Sequence, residues 1–377
     1  MQVNSERLKF KILDNIDKIS RKDWDVVFGE IPESYSFYRA LENSDLAEFS
    51  FYYLVIYRDD EIVLIAPLFL TDFNLDIAVE GRLSKVIGSI RKVFPRFLIF
   101  KTLFCGSPFG EHGVLGIRQD FKEGYKFIPL LLDGIKNFST EINAPLAVFK
   151  DFLKQDTLFL DVLMQKGYSR VESFPAVLLE LNFSSFEEYL ESLGSSTRKN
   201  LNKKLKQAQA RGKIEVKVLK DIESQIDQIF KLYENTYRGG ATKFERLTKK
   251  FFLQVAHDLG SHARFFLYYV DDRLAAFNLC FVYDNLLIDK FIGFDYDISN
   301  PYNLYFVSWA YNIRWCLDNS LRYYYPGQTD YEPKIRLGGK LIALYAYLRH
   351  KNMFINFLIK LLILLLKPDN FDEDIRK

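Results

Sequence analysis

The stretch 321–341, LRYYYPGQTDYEPKIRLGGKL, crowds phenols, cations and a carboxylate into a short span. Tyr323 to Tyr325 end a strand, Pro326-Gly327 turns the chain, and Asp330, Tyr331, Lys334 and Arg336 follow before Gly338-Gly339. Read as an extended segment, it puts Lys334 and Arg336 on one face, opposite Tyr331. Two neighbouring cations repel unless an anion lies between them. The anion is either a protein carboxylate, Asp289 or Asp330, or a phosphate or carboxylate of a substrate. Arg336 can grip such a group bidentately, with Lys334 as a point charge. A second pair, Asp289-Lys290, lies mid-strand, so its side chains face opposite sides. Asp289 is the candidate to receive an acceptor's proton, followed by Tyr324 and Tyr331.

The element that must position Asp289 is ARFFLYYVDDRLAAFNLCFVYDNLLIDKFIGFD, residues 263–295. Three aromatic and β-branched runs are separated by Asp271-Asp272 and Asp284-Asn285, which predicts a three-stranded antiparallel meander. DISNPYNL then signals a helix start, with Asn300 as N-cap and Pro301 at the first helical position. Free N–H groups there suit a phosphate, with Tyr302 and Asn303 beside it. An ordinary meander followed by a capped helix is the plain alternative. Upstream, SSTRKNLNKKLKQAQARG predicts a basic helix, and Arg198 and Asn200 near its start could meet an anionic substrate.

The chain of 377 residues has room for two domains. It is 49% hydrophobic and 27% charged, the mixture of a globular protein with real cores. A net charge of +2 argues against a protein built mainly to hold nucleic acid. Cys105, Cys280 and Cys316 show no paired spacing, and four scattered histidines add no metal cluster, so neither disulfide nor metal is expected. The charged N-terminus has no apolar core of a secretory signal, and a cytoplasmic protein is expected.

In chain order, residues 1–48 read as polar helices. FYYLVIYRDDEIVLIAPLFL, residues 51–70, repeats the hairpin design of 263–283, which suggests a duplicated domain. Residues 82–101 form a basic amphipathic segment broken at Pro95, read as a surface helix before a strand, with a membrane-contacting role as the alternative. In the Gly-rich loop 104–113, Glu111-His112 tempts as an acid–base pair, although adjacent loop residues usually face solvent. Residues 174–183 form the strand that crosses between the halves. NMFINFLIKLLILLLK is apolar but below the roughly 18–20 residues of a spanning helix. It is open to three roles: core helix, partner-binding helix, or peripheral membrane contact.

STRKNLNKKLKQA (196–208), the meander with its following helix, and YYPGQTDYEPKIRLGG (324–339) resemble the GNAT-fold acyltransferases, in particular the FemAB-like group with two GNAT domains in tandem. The last stretch is similar to that group's Tyr–x–x–Lys–x–Arg–x–Gly ending. SYSFYRALENS (34–44), CGSPFG (105–110) and VFKDF (148–152) extend the likeness into the first half. The resemblance implies an α/β chain of the α+β type with two tandem GNAT-like domains, each a mixed, mostly antiparallel sheet flanked by helices. Their expected limits are 1–175 and 176–345, with an apolar helix and polar tail over 346–377. It implies transfer from an acyl-CoA such as acetyl-CoA to an amine or hydroxyl of a small-molecule, cell-envelope or polysaccharide precursor. Gln328 and Lys290 join Lys334, Arg336, Arg198 and Asn200 as substrate-binding positions, and Asn300, Tyr302 and Asn303 as cofactor-binding ones. Where GNAT proteins carry a Gln/Arg–x–x–Gly–x–Gly/Ala phosphate loop, this chain has IGFDYDISNPYN. An aminoacyl-tRNA donor, with tRNA as partner, therefore stands as an alternative, and a non-catalytic binding protein on the same fold as another.

Overall fold

Aspartates turn the hairpins of both sheets. Asp271 and Asp272 both take positive φ (46° and 66°), the conformation of a two-residue turn whose twist matches its strands. Asp59 and Asp284 do the same singly in the other two hairpins named above. The computed structural model describes residues 8–76, 81–121, 127–239, 246–328 and 330–365, without the side chains of 81–84 and 362–365. It has two compact units: the described parts of Met1–Glu42, Ala47–Pro175 and Ala343–Lys377, and those of Asn43–Leu46 and Ala176–Ile342.

In the first unit, β1 (Leu8–Leu13), β2 (Ser50–Arg58), β3 (Glu61–Asn74) and β4 (Ile99–Cys105) make an antiparallel meander. The short β5 (Gly116–Ile117) pairs with β3 off this path, and β6 (Leu146–Leu153) lies parallel to β4. β7 (Ser169–Glu172) is the far edge. Around the sheet run α1 (Arg21–Phe28), α2 (Tyr35–Glu42), α3 (Gly81–Arg91), α4 (Phe127–Glu141), α5 (Thr157–Leu160) and α6 (Val162–Gln165). Leu131, Ile135 and Phe138 of α4 pack on Leu54, Leu64 and Phe149 of the sheet.

The second unit opens with β8 (Ala176–Glu180), α7 (Phe186–Ser192), α8 (Ser195–Arg211) and β9 (Ile214–Leu219). Then come α9 (Ile226–Gly239), α10 (Lys249–Leu259) and the expected meander, β10 (Ala263–Val270), β11 (Arg273–Tyr283) and β12 (Leu286–Phe294). It ends with α11 (Tyr296–Ser299), α12 (Leu304–Asp318), β13 (Tyr323–Tyr325), α13 (Tyr331–Arg336) and β14 (Lys340–Ile342). The chain then returns to the first unit as β15 (Leu344–His350), between β6 and β7, followed by α14 (Met353–Leu365).

The two sheets share one plan. The first runs β1-β2-β3-β4-β6-β15-β7 and the second, read from its other end, β9-β10-β11-β12-β13-β8-β14. Each is a four-stranded antiparallel meander, then one parallel neighbour, then two antiparallel closing strands. This is the mixed, mostly antiparallel pair of sheets that the sequence implies.

Four local expectations need correcting. Residues 8–13 are a strand rather than part of a helix, because Leu8, Phe10 and Ile12 alternate with two lysines. The helix expected from Pro301 begins at Leu304, since Asp295 caps the short α11 first and 300–303 form a turn. Residues 331–336 are helical, so Lys334 and Arg336 do not share a face. Residues 344–350 form a strand.

Gly293 in β12 lets α9 lie directly on the sheet. A Cβ there would stand 2.4 Å from Phe277 Cε1 and 2.7 Å from backbone atoms of Leu232 and Tyr233. Gly293→Ala should therefore cost about 1–3 kcal/mol in urea unfolding, because a helix backbone cannot step aside as a side-chain tip can. Glu42 supplies a second test. Its carboxylate accepts from Ile16 N (2.9 Å) and Tyr53 OH, and burial is the main cause that raises it from 4.5 to about 7. Its stabilising contribution is full below 4.5 and is lost as pH rises through 7. Glu42→Gln should therefore gain about 1–2 kcal/mol over wild type on going from about pH 5 to about pH 8, after discounting for solvent screening. Parallel stability curves for the two proteins would refute this.

Candidate active site in the second unit

Asp289 sits where β12 bulges. It pairs with Cys280 of β11 while Phe291 pairs with Leu279, which leaves Lys290 as the extra residue. The two side chains take opposite faces, as expected: Lys290 Nζ stands 5.7 Å from the Phe281 ring centroid, and Asp289 faces α12. Donors from three elements meet its carboxylate. Asn278 Nδ2 of β11 reaches Oδ1 at 2.8 Å, while Tyr324 OH of β13 and Asn312 Nδ2 of α12 reach Oδ2 at 3.1 and 3.4 Å. Asn312 Nδ2 also lies 3.0 Å from Tyr324 OH, and Tyr268 OH donates to Asn312 Oδ1 at 3.3 Å. Burial, and then the charge of Asp289, holds the Tyr324 phenol well above its usual 10, so it keeps its proton and donates.

Two buried polar atoms, Asn278 Oδ1 in this network and Tyr305 OH on the same helix as Asn312, have no partner among the described residues. Tyr305 lies in the first turn of α12, and its phenol is raised by burial and then by the charges of Asp330 and Asp289. A buried donor with no partner among the described residues is an arrangement suited to a bound substrate.

Lys334 comes to the same place from α13. It is only 7% exposed, and its Nζ lies 3.9 Å from the point where a Cβ on Gly327 would stand. The Asp289 carbonyl oxygen is 3.6 Å from that same point. Gly327 takes φ 81°, so the turn accepts no ordinary side chain, and half-buried Gln328 follows it. Tyr331, one turn before Lys334, is buried with it. The helix end is fixed by Tyr189 OH, which donates to Leu337 O at 2.9 Å and accepts from Trp309 Nε1 at 2.9 Å.

The other expected site residues lie elsewhere. Arg336 is exposed and pairs with Glu332 at 2.5 Å, so no anion shared with Lys334 is needed. Arg198 donates to Glu191 O at 3.3 Å, and Asn200 is exposed on α8. Asn300 is exposed in the turn before α12. Tyr302 OH lies 3.3 Å from both Arg211 O and Asp271 Oδ2. Asn303 turns its amide to Lys204 O at 3.4 Å, leaving α12 without a side-chain cap. Lys204 Nζ stands 3.4 Å over the Phe306 ring in that first turn. Asn278, Asn312, Tyr268 and Tyr305 were missed from the sequence. The two amides had a signal, since each stands alone in an apolar run, LAAFNLCF and WAYNIRW.

Asn312→Ala should cost about 2–3 kcal/mol, because it takes a donor from Asp289 and from Tyr324 and leaves the buried Tyr268 hydroxyl without its acceptor. Tyr305→Phe should leave stability unchanged or raise it, since its hydroxyl forms no bond among the described residues. Equal losses in thermal unfolding would mean that Tyr305 belongs to the structural network.

Residues 195–335 match the family model described as acetyltransferase (GNAT) domain. No curated protein matches the sequence. Among solved structures, FemX aligns at 12% identity with a TM-score of 0.58, over 91% of this chain and 98% of its own. A tandem GNAT protein from the clavulanic acid biosynthesis pathway aligns at 11% identity and 0.54, over 92% and 99%. L-PGS from Bacillus licheniformis aligns at 10% identity and 0.51, over 90% and 98%. The chain shares the tandem GNAT fold of these structures, and the match to the GNAT domain model lies in its second unit.

Proposed function

We propose that the second unit moves an acyl group from acyl-CoA to an amine or hydroxyl of a small-molecule or glycan-precursor acceptor, in the cytoplasm. The observation that carries this reading is the buried Tyr305 hydroxyl, without a hydrogen-bond partner among the described residues, on the same helix whose Asn312 holds the Asp289 carboxylate. Asp289 takes the proton as the acceptor's lone pair forms the new bond to the thioester carbon. Tyr305 donates a hydrogen bond to the carbonyl oxygen as charge gathers there. Collapse re-forms the carbonyl and breaks the C–S bond, and the thiolate takes up, through water, the proton that Asp289 received. Holding acceptor and donor in register supplies much of the rate.

Asn278, Asn312 and Tyr324 position Asp289 rather than touch substrate, because all three are fully buried. Lys334 and Gln328 orient the acceptor. The uncapped start of α12, with Lys204 beside it, suits the donor's phosphates. A second reading, an aminoacyl-tRNA donor, draws on the exposed cations of α8, Lys199, Lys203, Lys206 and Arg211.

The test is release of free thiol from acyl-CoA across a panel of amino sugars and amino acids, with the product identified by mass. Asp289→Asn should lower kcat by about 10²–10⁴-fold and Tyr305→Phe by about 10²-fold, with the fold intact. Lys334→Ala should raise KM. Turnover only with charged tRNA would replace the donor assignment, and acceptor binding without turnover would overturn the enzymatic reading.

A further inference from the structure

The first unit carries two exposed apolar segments that leave its sheet at the same end. Thr102, Leu146 and His350 form one row across β4, β6 and β15, and the His350 ring lies 5.3 Å from that of Phe100. Residues 92–98 lead from α3 into the start of β4, and α14 begins just beyond His350. On the α3 side, Val93 is 72% exposed and Phe94 66%. On α14, Phe354, Phe357, Leu358 and Leu361 form a stripe at helical spacing, with Phe354 69% and Phe357 56% exposed. The opposite face of α14 is held down. Ile359 is buried, and Asn356 accepts from His350 N at 2.8 Å and donates to Gly167 O at 3.0 Å. Aromatic side chains grouped in water in this way mark an interaction surface.

Charge decides what the surface meets. Residues 81–97 contain Arg82, Lys85, Arg91, Lys92 and Arg96 and no acid, and residues 351–367 contain Lys351, Lys360 and Lys367 and no acid. Asp76 and Asp72 pair with Arg91 and Arg96. Lys85, Lys92, Lys351 and Lys360 make no ion pair among the described residues. A second copy of the chain docked face to face would set these lysines against themselves. An anionic surface neutralises them.

We infer that α3 with residues 92–97, together with α14, forms one docking surface for an anionic phospholipid bilayer. Val93, Phe94, Phe354 and Phe357 enter the boundary between headgroups and acyl chains, and the lysines meet lipid phosphates. No described helix is long and apolar enough to cross a membrane, so the contact is peripheral. This inference is independent of the reaction proposed above.

Flotation of the full chain tests it, using vesicles of phosphatidylglycerol with phosphatidylcholine and vesicles of phosphatidylcholine alone. Wild type should float with the anionic vesicles and lose binding as salt is raised. The double variants Val93→Glu/Phe94→Glu and Phe354→Glu/Phe357→Glu should each lower the bound fraction about tenfold or more. Melting should be unchanged, since all four side chains already stand in water. Wild type that binds neither vesicle would overturn the inference. So would an α3-side variant that floats like wild type, because the two segments would then not be one surface. A wild-type dimer in sedimentation that either variant dissolves would replace the bilayer with a second copy of the chain.

Discussion

A carboxylate in the middle of an apolar sheet must be compensated, and the second unit is arranged around that requirement. Withdrawing such a charge from water costs several kcal/mol unless donors replace the lost solvent. Asp289 accepts from donors on β11, β13 and α12. Each donor is fully buried, so each fixes its own element against the sheet as well as the charge. Asn312 does the most. It joins Asp289, Tyr324 and Tyr268, and so sets the rotation of α12 about its axis. That rotation in turn aims Tyr305, two turns earlier on the same helix.

The first sheet follows the same plan without the charge. Its strand β4 corresponds in order to β12, yet carries Lys101 and Thr102 at its centre. Lys101 Nζ donates to Ile142 O at 2.7 Å, and Thr102 Oγ1 to Phe100 O at 2.9 Å. Both are satisfied by backbone, and neither is a carboxylate. Two sheets with one strand order therefore differ in the polar side chains that one strand carries.

Most of the frame was legible because its signals are local. Alternating apolar runs between Asp pairs identify the hairpins, and apolar residues at helical spacing identify α9. The errors arose where one string of residues satisfies two periods. Tyr331, Lys334 and Arg336 suit a strand by alternation, yet Tyr331 and Lys334 are equally a pair one helical turn apart. Asp330 in the left-handed region (φ 53°) starts the helix, and Pro333 is tolerated within its first turn. Around 295–303, Asp295, Asn300 and Asn303 all offer cap chemistry, and only packing selects among them. In the site, Asn278 and Asn312 were readable as lone amides in apolar surroundings. Tyr305 was not, because nothing in its neighbourhood sets it apart among 23 tyrosines.

The path of the chain also sets the order in which the molecule can be finished. All seven strands of the second sheet come from one continuous segment, residues 176–342. The first sheet is different, because β7 is joined to it only through β15, which follows that whole segment. A chain leaving the ribosome therefore makes β1 to β7 first but must hold the side of β6 that awaits β15 unpaired until residue 350 emerges. The half that is synthesised first is completed last, and during that interval it presents an open strand edge of the kind that other chains can join.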